Sequence, residues 1–150
     1  MSVISPLVKQ LGLEPHPEGG WFRRTWQTET QTLADDRRAV RPCATGIYYL
    51  LHPAEVSCWH RVRSDEMWLW HRGHPLTLRL GGHGRHGPDP DPDPDPARNV
   101  LLGPAVERGQ RPQYLVPAGA WQTARCEGDE PVLVSCVVAP GFHYDDFEMR

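Results

Sequence analysis

Apolar and polar residues alternate in short runs along most of this chain, and proline or glycine cuts each run short. Alternation with a period of two marks half-buried strands, and closely spaced turn residues mark a sandwich or barrel. Strands are predicted at 21–26, 44–51, 56–62, 66–71, 76–80, 99–102, 113–116, 121–125 and 131–139. The run 132–138 is nearly all apolar, so it is expected to be covered on both faces, by the core and by a terminus or second subunit. One helix is predicted at the start. Ser5 caps it, Pro6 takes the first position, Leu7, Val8 and Leu11 share a face, and Gly12 ends it. Residues 28–42 are polar and read as a loop. The alternating proline and aspartate of 88–96 form part of an exposed loop at about 82–98. Its aspartates are fanned out by the prolines, which suits a solvated segment better than a cation cage.

At 150 residues the chain is expected to be one domain, 1–150, with a real core. A net charge of -3 gives no basic footprint for nucleic acid. No apolar run is long enough to cross a bilayer, and the first residues do not read as a signal peptide. The four cysteines form no CxxC pair and read as reduced thiols. The expectation is a cytoplasmic protein with no nucleic-acid and no membrane partner.

The chemistry concentrates in two stretches, 57–73 and 116–122. Strand parity predicts that Val56, Cys58, His60 and Val62 face inward. Glu66 follows across the turn-like Arg63-Ser64-Asp65 and is expected to meet His60 inside the sheet. A buried carboxylate needs a partner, and histidine, a metal ion or a substrate can each supply it. Trp68 and Trp70 share the side of Glu66, as core residues and as an aromatic wall, while Leu69 and His71 face away. His60 and Glu66 are the candidate catalytic pair, with His60 as base. Tyr48, read as the inward tyrosine of its strand, and Tyr144 are the candidate acids. Candidate ligand-binding residues are Arg23, Tyr48, Trp68, Trp70, Gln113 and Gln122. Glu18-Gly19-Gly20, ahead of Arg23 and Arg24, and the segment holding Arg111 and Gln113 are read as elements that close the site. The tail at 142–149 is expected to pack on the barrel rather than react.

His60-x-Val62-x3-Glu66-x6-Gly73 resembles the first cupin motif, and Pro117-x-Gly119-x2-Gln122 the second. The whole chain is similar to the cupin subfamily DUF985, or Cupin_5. The matching phrases are 14–22, 45–51, 59–66, 111–113, 116–122 and 135–142. The resemblance implies an all-β cupin jelly-roll barrel (double-stranded β-helix) with a short N-terminal helix, usually a homodimer, and a sugar-epimerase-like label. It also implies a metal set of His60, Glu66 and Gln122. Metal-binding cupins have histidines where this chain has Val62 and Gln122, so this set is a poor one for a transition metal. The cofactor question stays open between none and a weakly held divalent metal. The expected function is binding of a small polar molecule, with isomerase or epimerase action on a sugar-like or nucleotide-linked carbonyl compound. The alternatives are a non-catalytic ligand binder or sensor and a metal-dependent oxygenase or lyase.

Overall fold

The computed structural model describes residues 3–33, 40–89 and 99–150. It begins with the predicted helix α1 (Pro6–Leu11). The Ser5 hydroxyl accepts from the Leu7 amide at 3.2 Å, and Gly12 closes the helix in the left-handed region at φ 65°. Thirteen strands follow among the described residues: β1 (Glu14–Pro15), β2 (Trp21–Gln27), β3 (Gln31–Leu33), β4 (Val40–Pro42), β5 (Thr45–Leu51), β6 (Val56–Val62), β7 (Asp65–Gly73), β8 (Leu76–Leu80), β9 (Asn99–Leu102), β10 (Gln113–Val116), β11 (Gln122–Cys126), β12 (Val132–Ala139) and β13 (Phe147–Met149). They form a six-stranded sheet in the order β1-β2-β5-β12-β7-β10, a five-stranded sheet in the order β13-β6-β11-β8-β9, and the hairpin β3–β4. The two large sheets are antiparallel and face each other, as in a jelly roll.

The space between the sheets is divided. Toward one end it is filled by Leu51, Leu76, Leu78, Leu102, Val132 and Val134, which form the buried core with Trp68 and Tyr49. Toward the other it stays hollow. A second cluster lies on the outer face of the six-stranded sheet. There Leu7, Val8 and Leu11 of α1 pack with Leu13, Leu50 and Leu133. The N-terminus thus covers the Leu133 side of the apolar run, as expected for a strand buried on both faces.

Two expectations are corrected. Polar 28–42 contains the hairpin β3–β4, whose pairing rests on the backbone and leaves no periodicity to read. Of this stretch 34–39, and of the Pro/Asp stretch 90–98, lie outside the described residues. The second correction sits in β6. Ser57 pairs with Ala124 and His60 with Gln122, so three steps on one strand oppose two on the other: a β-bulge. The bulge breaks the alternation. Ser57 and His60 are both buried, while Cys58, expected inside, is exposed. All four cysteines are free thiols. No helix among the described residues is long and apolar enough to cross a membrane.

Candidate functional site

The hollow end of the barrel is a cavity of about 430 Å³. Phe22, Ile47, Val62, Trp68, Val138 and Phe147 give it apolar walls, and Glu18, His60 and Glu66 supply its deepest polar groups. Each of these three arrives on a different element. His60 comes from β6, where the bulge turns it inward. Its Nδ1 faces the Cys58 carbonyl at 2.7 Å and so carries the proton, which leaves the Nε2 lone pair free. That Nε2 lies 3.3 Å from a Glu18 carboxyl oxygen.

Glu18 comes from the turn joining β1 to β2. The turn is sewn to the bulge, because the Cys58 amide donates to the Glu18 carbonyl at 2.7 Å. Gly19 makes the fit possible. It sits at φ 109°, and a Cβ there would lie 2.2 Å from the Val56 carbonyl oxygen. The Tyr49 hydroxyl donates to the Gly19 carbonyl and pins the turn from β5 of the same sheet.

Glu66 comes from β7. Gln122, delivered by the turn Pro117–Ala120, donates its amide nitrogen to Glu66 Oε1 at 2.7 Å. The Gln122 oxygen in turn accepts the Trp68 indole N–H at 2.8 Å. Trp68 therefore sets the amide's direction, and the amide sets the carboxyl's.

Burial governs the charges. It pushes Glu18 up to about 8, against hydrogen bonds from Ser57 and Tyr49 that favour ionisation. It pushes Glu66 up to about 7, with His60 opposing and Glu18 adding to the rise. The same desolvation lowers His60, and it takes His16, with the nearby His60 as a second cause, down to about 4. Burial thus favours the protonated form of both carboxyls and the neutral form of the imidazole. Buried carboxyls tuned toward neutrality beside a histidine can donate and accept protons under ordinary conditions.

The profile of the family described as Cupin_5, Cupin superfamily (DUF985), matches residues 5–150. The chain belongs to this cupin family. It is similar to a solved hypothetical protein from Leishmania major, at 37% identity over 96% of this chain and 85% of that one, with a TM-score of 0.83. It is similar also to a solved protein from Shewanella oneidensis, at 36% identity over 100% and 85%, with a TM-score of 0.79. A Cupin 2 conserved barrel domain protein from Salinispora arenicola shares the fold at 15% identity, over 93% and 89%, with a TM-score of 0.56. No curated protein matches. The fold is the all-β cupin jelly-roll.

Of the positions singled out in this cupin's sequence, His60, Glu66, Trp68 and Tyr144 line the cavity, and Gln122 stands behind Glu66. The others are elsewhere. Trp70 packs on the core and donates its indole N–H to the His74 carbonyl at 3.3 Å. Arg23 is exposed and donates to the Leu11 carbonyl at the end of α1, 3.2 Å away, and Arg24 lines the cavity instead. Tyr48 packs with the outer cluster and against His71, because Tyr49 is the residue of β5 that points inward. Gln113 is exposed on the edge strand β10. Sequence reasoning put Glu18 in an element that closes the site without giving its carboxyl a role, and it missed His16, Phe142 and Phe147, the last two in a tail that walls the cavity.

The metal set implied by the cupin motifs does not fit. Gln122 turns its NH₂ toward Glu66 and commits its oxygen to Trp68, and Val62 offers no donor. Among the described residues no group of three or more histidine, cysteine, aspartate or glutamate side chains is arranged to hold a metal ion.

Proposed function

We propose that this cupin binds a small polar molecule in the barrel cavity and acts as an isomerase or epimerase on a sugar-like or nucleotide-linked carbonyl compound, with His60 and Glu66 as proton-transfer groups. The observation that carries this reading is the meeting of the buried His60 imidazole with the buried Glu66 and Glu18 carboxyls on the wall of an aromatic hollow. Epimerisation next to a carbonyl needs a base to remove the α-proton and an acid to return one on the other face. Aromatic walls with few convergent polar groups suit a ring-shaped ligand, and the volume is that of a small-molecule site.

The test is proton exchange in D₂O, followed by NMR, over a panel of aldoses, ketoses and their phosphate and nucleotide-diphosphate derivatives. Wild type is expected to exchange the α-proton of at least one member. His60→Ala is expected to abolish turnover with little change in melting temperature, and full activity in the variant would refute the assignment. Saturable binding without exchange would instead support a non-catalytic binder.

We also infer a homodimer. Trp26, Gly46, Val137, Met67 and Leu115 share one cross-strand row of the six-stranded sheet, with Trp26 and Leu115 exposed. That flat apolar row supports self-association. Light scattering of Leu115→Asp against wild type tests it, and equal masses for the two proteins would count against the row.

A further inference from the structure

Resting on the isomerase reading above, we propose that Glu18 is the general acid of this site, the group that returns a proton to the substrate after Glu66 has removed one. The geometry carries it. Glu18 and Glu66 are the two deeply buried carboxyls of the cavity and reach it from different elements, the β1–β2 turn and β7. The Glu66 carboxyl is held by one firm donor, Gln122, on Oε1. The Glu18 carboxyl faces the lone pair of His60 Nε2 at 3.3 Å. The Cys58 carbonyl fixes the ring proton on Nδ1, so the imidazole brings no hydrogen to this contact, and Ser57 and Tyr49 hydrogen-bond the same carboxyl. The Glu18 carboxyl is thus held in place before any ligand arrives.

The tyrosines do not compete for this part. Tyr48 lies on the outer face of its sheet. Tyr144 stands at the rim, half exposed, with its ring against Phe142 and Phe147. Tyr49 is buried beside Glu18 with its hydroxyl on the Gly19 carbonyl, and it does not line the cavity.

The step balances. The substrate's α C–H bond breaks and its proton goes to the Glu66 carboxylate, leaving an enolate. The O–H bond of Glu18 then breaks and a new C–H bond forms on the other face of the carbon. Glu66 ends protonated and Glu18 ionised. Glu66 gives its proton to water, and His60, whose Nε2 lies 3.3 Å from Glu18, relays a proton from water to Glu18, which restores the start with His60 neutral. Neither oxidant nor co-reactant is needed. The two carboxyls hold their protons with similar strength, so the reverse reaction runs on the same groups with their parts exchanged.

Glu18→Gln and Glu66→Gln, each checked for folding by circular dichroism, are run in the D₂O assay with a wild-type substrate from that panel. Glu18→Gln is expected to keep exchange of the α-proton, because Glu66 can return deuterium to the face it left. It is expected to lose inversion by about 10²–10⁴-fold, the usual worth of a general acid. Glu66→Gln is expected to lose both. If Glu18→Gln keeps inversion, or loses exchange and inversion together while folded, the assignment falls. If Glu18→Gln does not fold, Glu18→Asp replaces it and must show the same split at smaller size. A wild type inert toward every compound would overturn the isomerase reading and this role with it, a result distinct from an active wild type lacking the split.

Discussion

Two buried histidines in this protein each touch a glutamate, and they stand in opposite situations. His52, at the end of the β5–β6 turn, and His60, in the barrel, are 4% and 3% exposed. At His52 the fold uses up both ring nitrogens. Nε2 accepts the Ser5 amide at 2.8 Å, and Nδ1 lies 3.1 Å from Glu55, whose same oxygen accepts the His52 amide at 2.8 Å. At His60 the backbone takes only Nδ1, and Nε2 faces a carboxyl on the wall of an aromatic hollow. The comparison teaches that burial and a carboxylate neighbour do not mark a site by themselves. What marks it is that the ring and its carboxyl neighbour line an open cavity that a ligand can enter, as His60 and Glu18 do and His52 and Glu55 do not.

The sharpest way to break this contrast is to remove each ring. His60→Ala should lower turnover by about 10²–10⁴-fold and leave the melting temperature nearly unchanged. His52→Ala should leave turnover alone and cost about 1–3 kcal/mol by orphaning the Ser5 amide, seen as a lower melting temperature. Loss of activity in both variants would erase the distinction.

Next in size is Gly19→Ala. The left-handed backbone costs about 1–3 kcal/mol and the clash with Val56 adds to it, so thermal unfolding should move down by several degrees. Because the same turn carries Glu18, activity should fall as well.

A pH series probes the electrostatics of the His60 side. Glu18 and Glu66 have folded pKa values raised above 4.5, so their stabilisation is lost as pH rises toward about 8 and 7. His60 and His16 are lowered below 6.5, so their contribution is lost as pH falls below that value. Between about pH 4.5 and 6.5 the carboxyls and the histidines move stability in opposite directions and partly offset one another. From about pH 6.5 to 8 only the carboxyls titrate. Stability should then decline by at most a few kcal/mol, since a tenfold change in proton affinity is worth about 1.4 kcal/mol. Glu18→Gln should flatten this decline in urea titrations across the range, and an unchanged slope would contradict the buried-carboxyl account.

The smallest effect belongs to Trp68→Phe. It keeps the ring but deletes the indole N–H on Gln122, for about 1 kcal/mol. The Gln122 side-chain amide signals should broaden in NMR as the amide loses its fixed direction.

Much of the fold was legible because each strand carries its own two-residue period and its own flanking turn residues. The helix was legible from Ser5, Pro6 and Gly12 alone, each of which acts on its immediate neighbours. The site was legible only in part. Glu66 and Trp68 sit on a regular part of β7 and could be placed by parity, and His60 keeps its parity only with Val62, on the far side of the β6 bulge. Cys58 could not, since the bulge is a property of the β6–β11 pairing and leaves no mark on β6 itself. Tyr48 and Tyr49 are adjacent, and a one-residue error in register exchanges inside for outside. Glu18 lay in plain view beside Gly19-Gly20, but its partner is a strand reached only in three dimensions. The two glycines were the available signal, because they mark a place where backbone passes close to backbone.

The tail has a practical consequence. β13 pairs with β6 so that Met149 faces His60 across the ladder, one residue short of Arg150. A purification tag fused behind Arg150 would pull on the rung that carries the imidazole. Protein intended for ligand screening should carry its tag at the other end, ahead of the short helix.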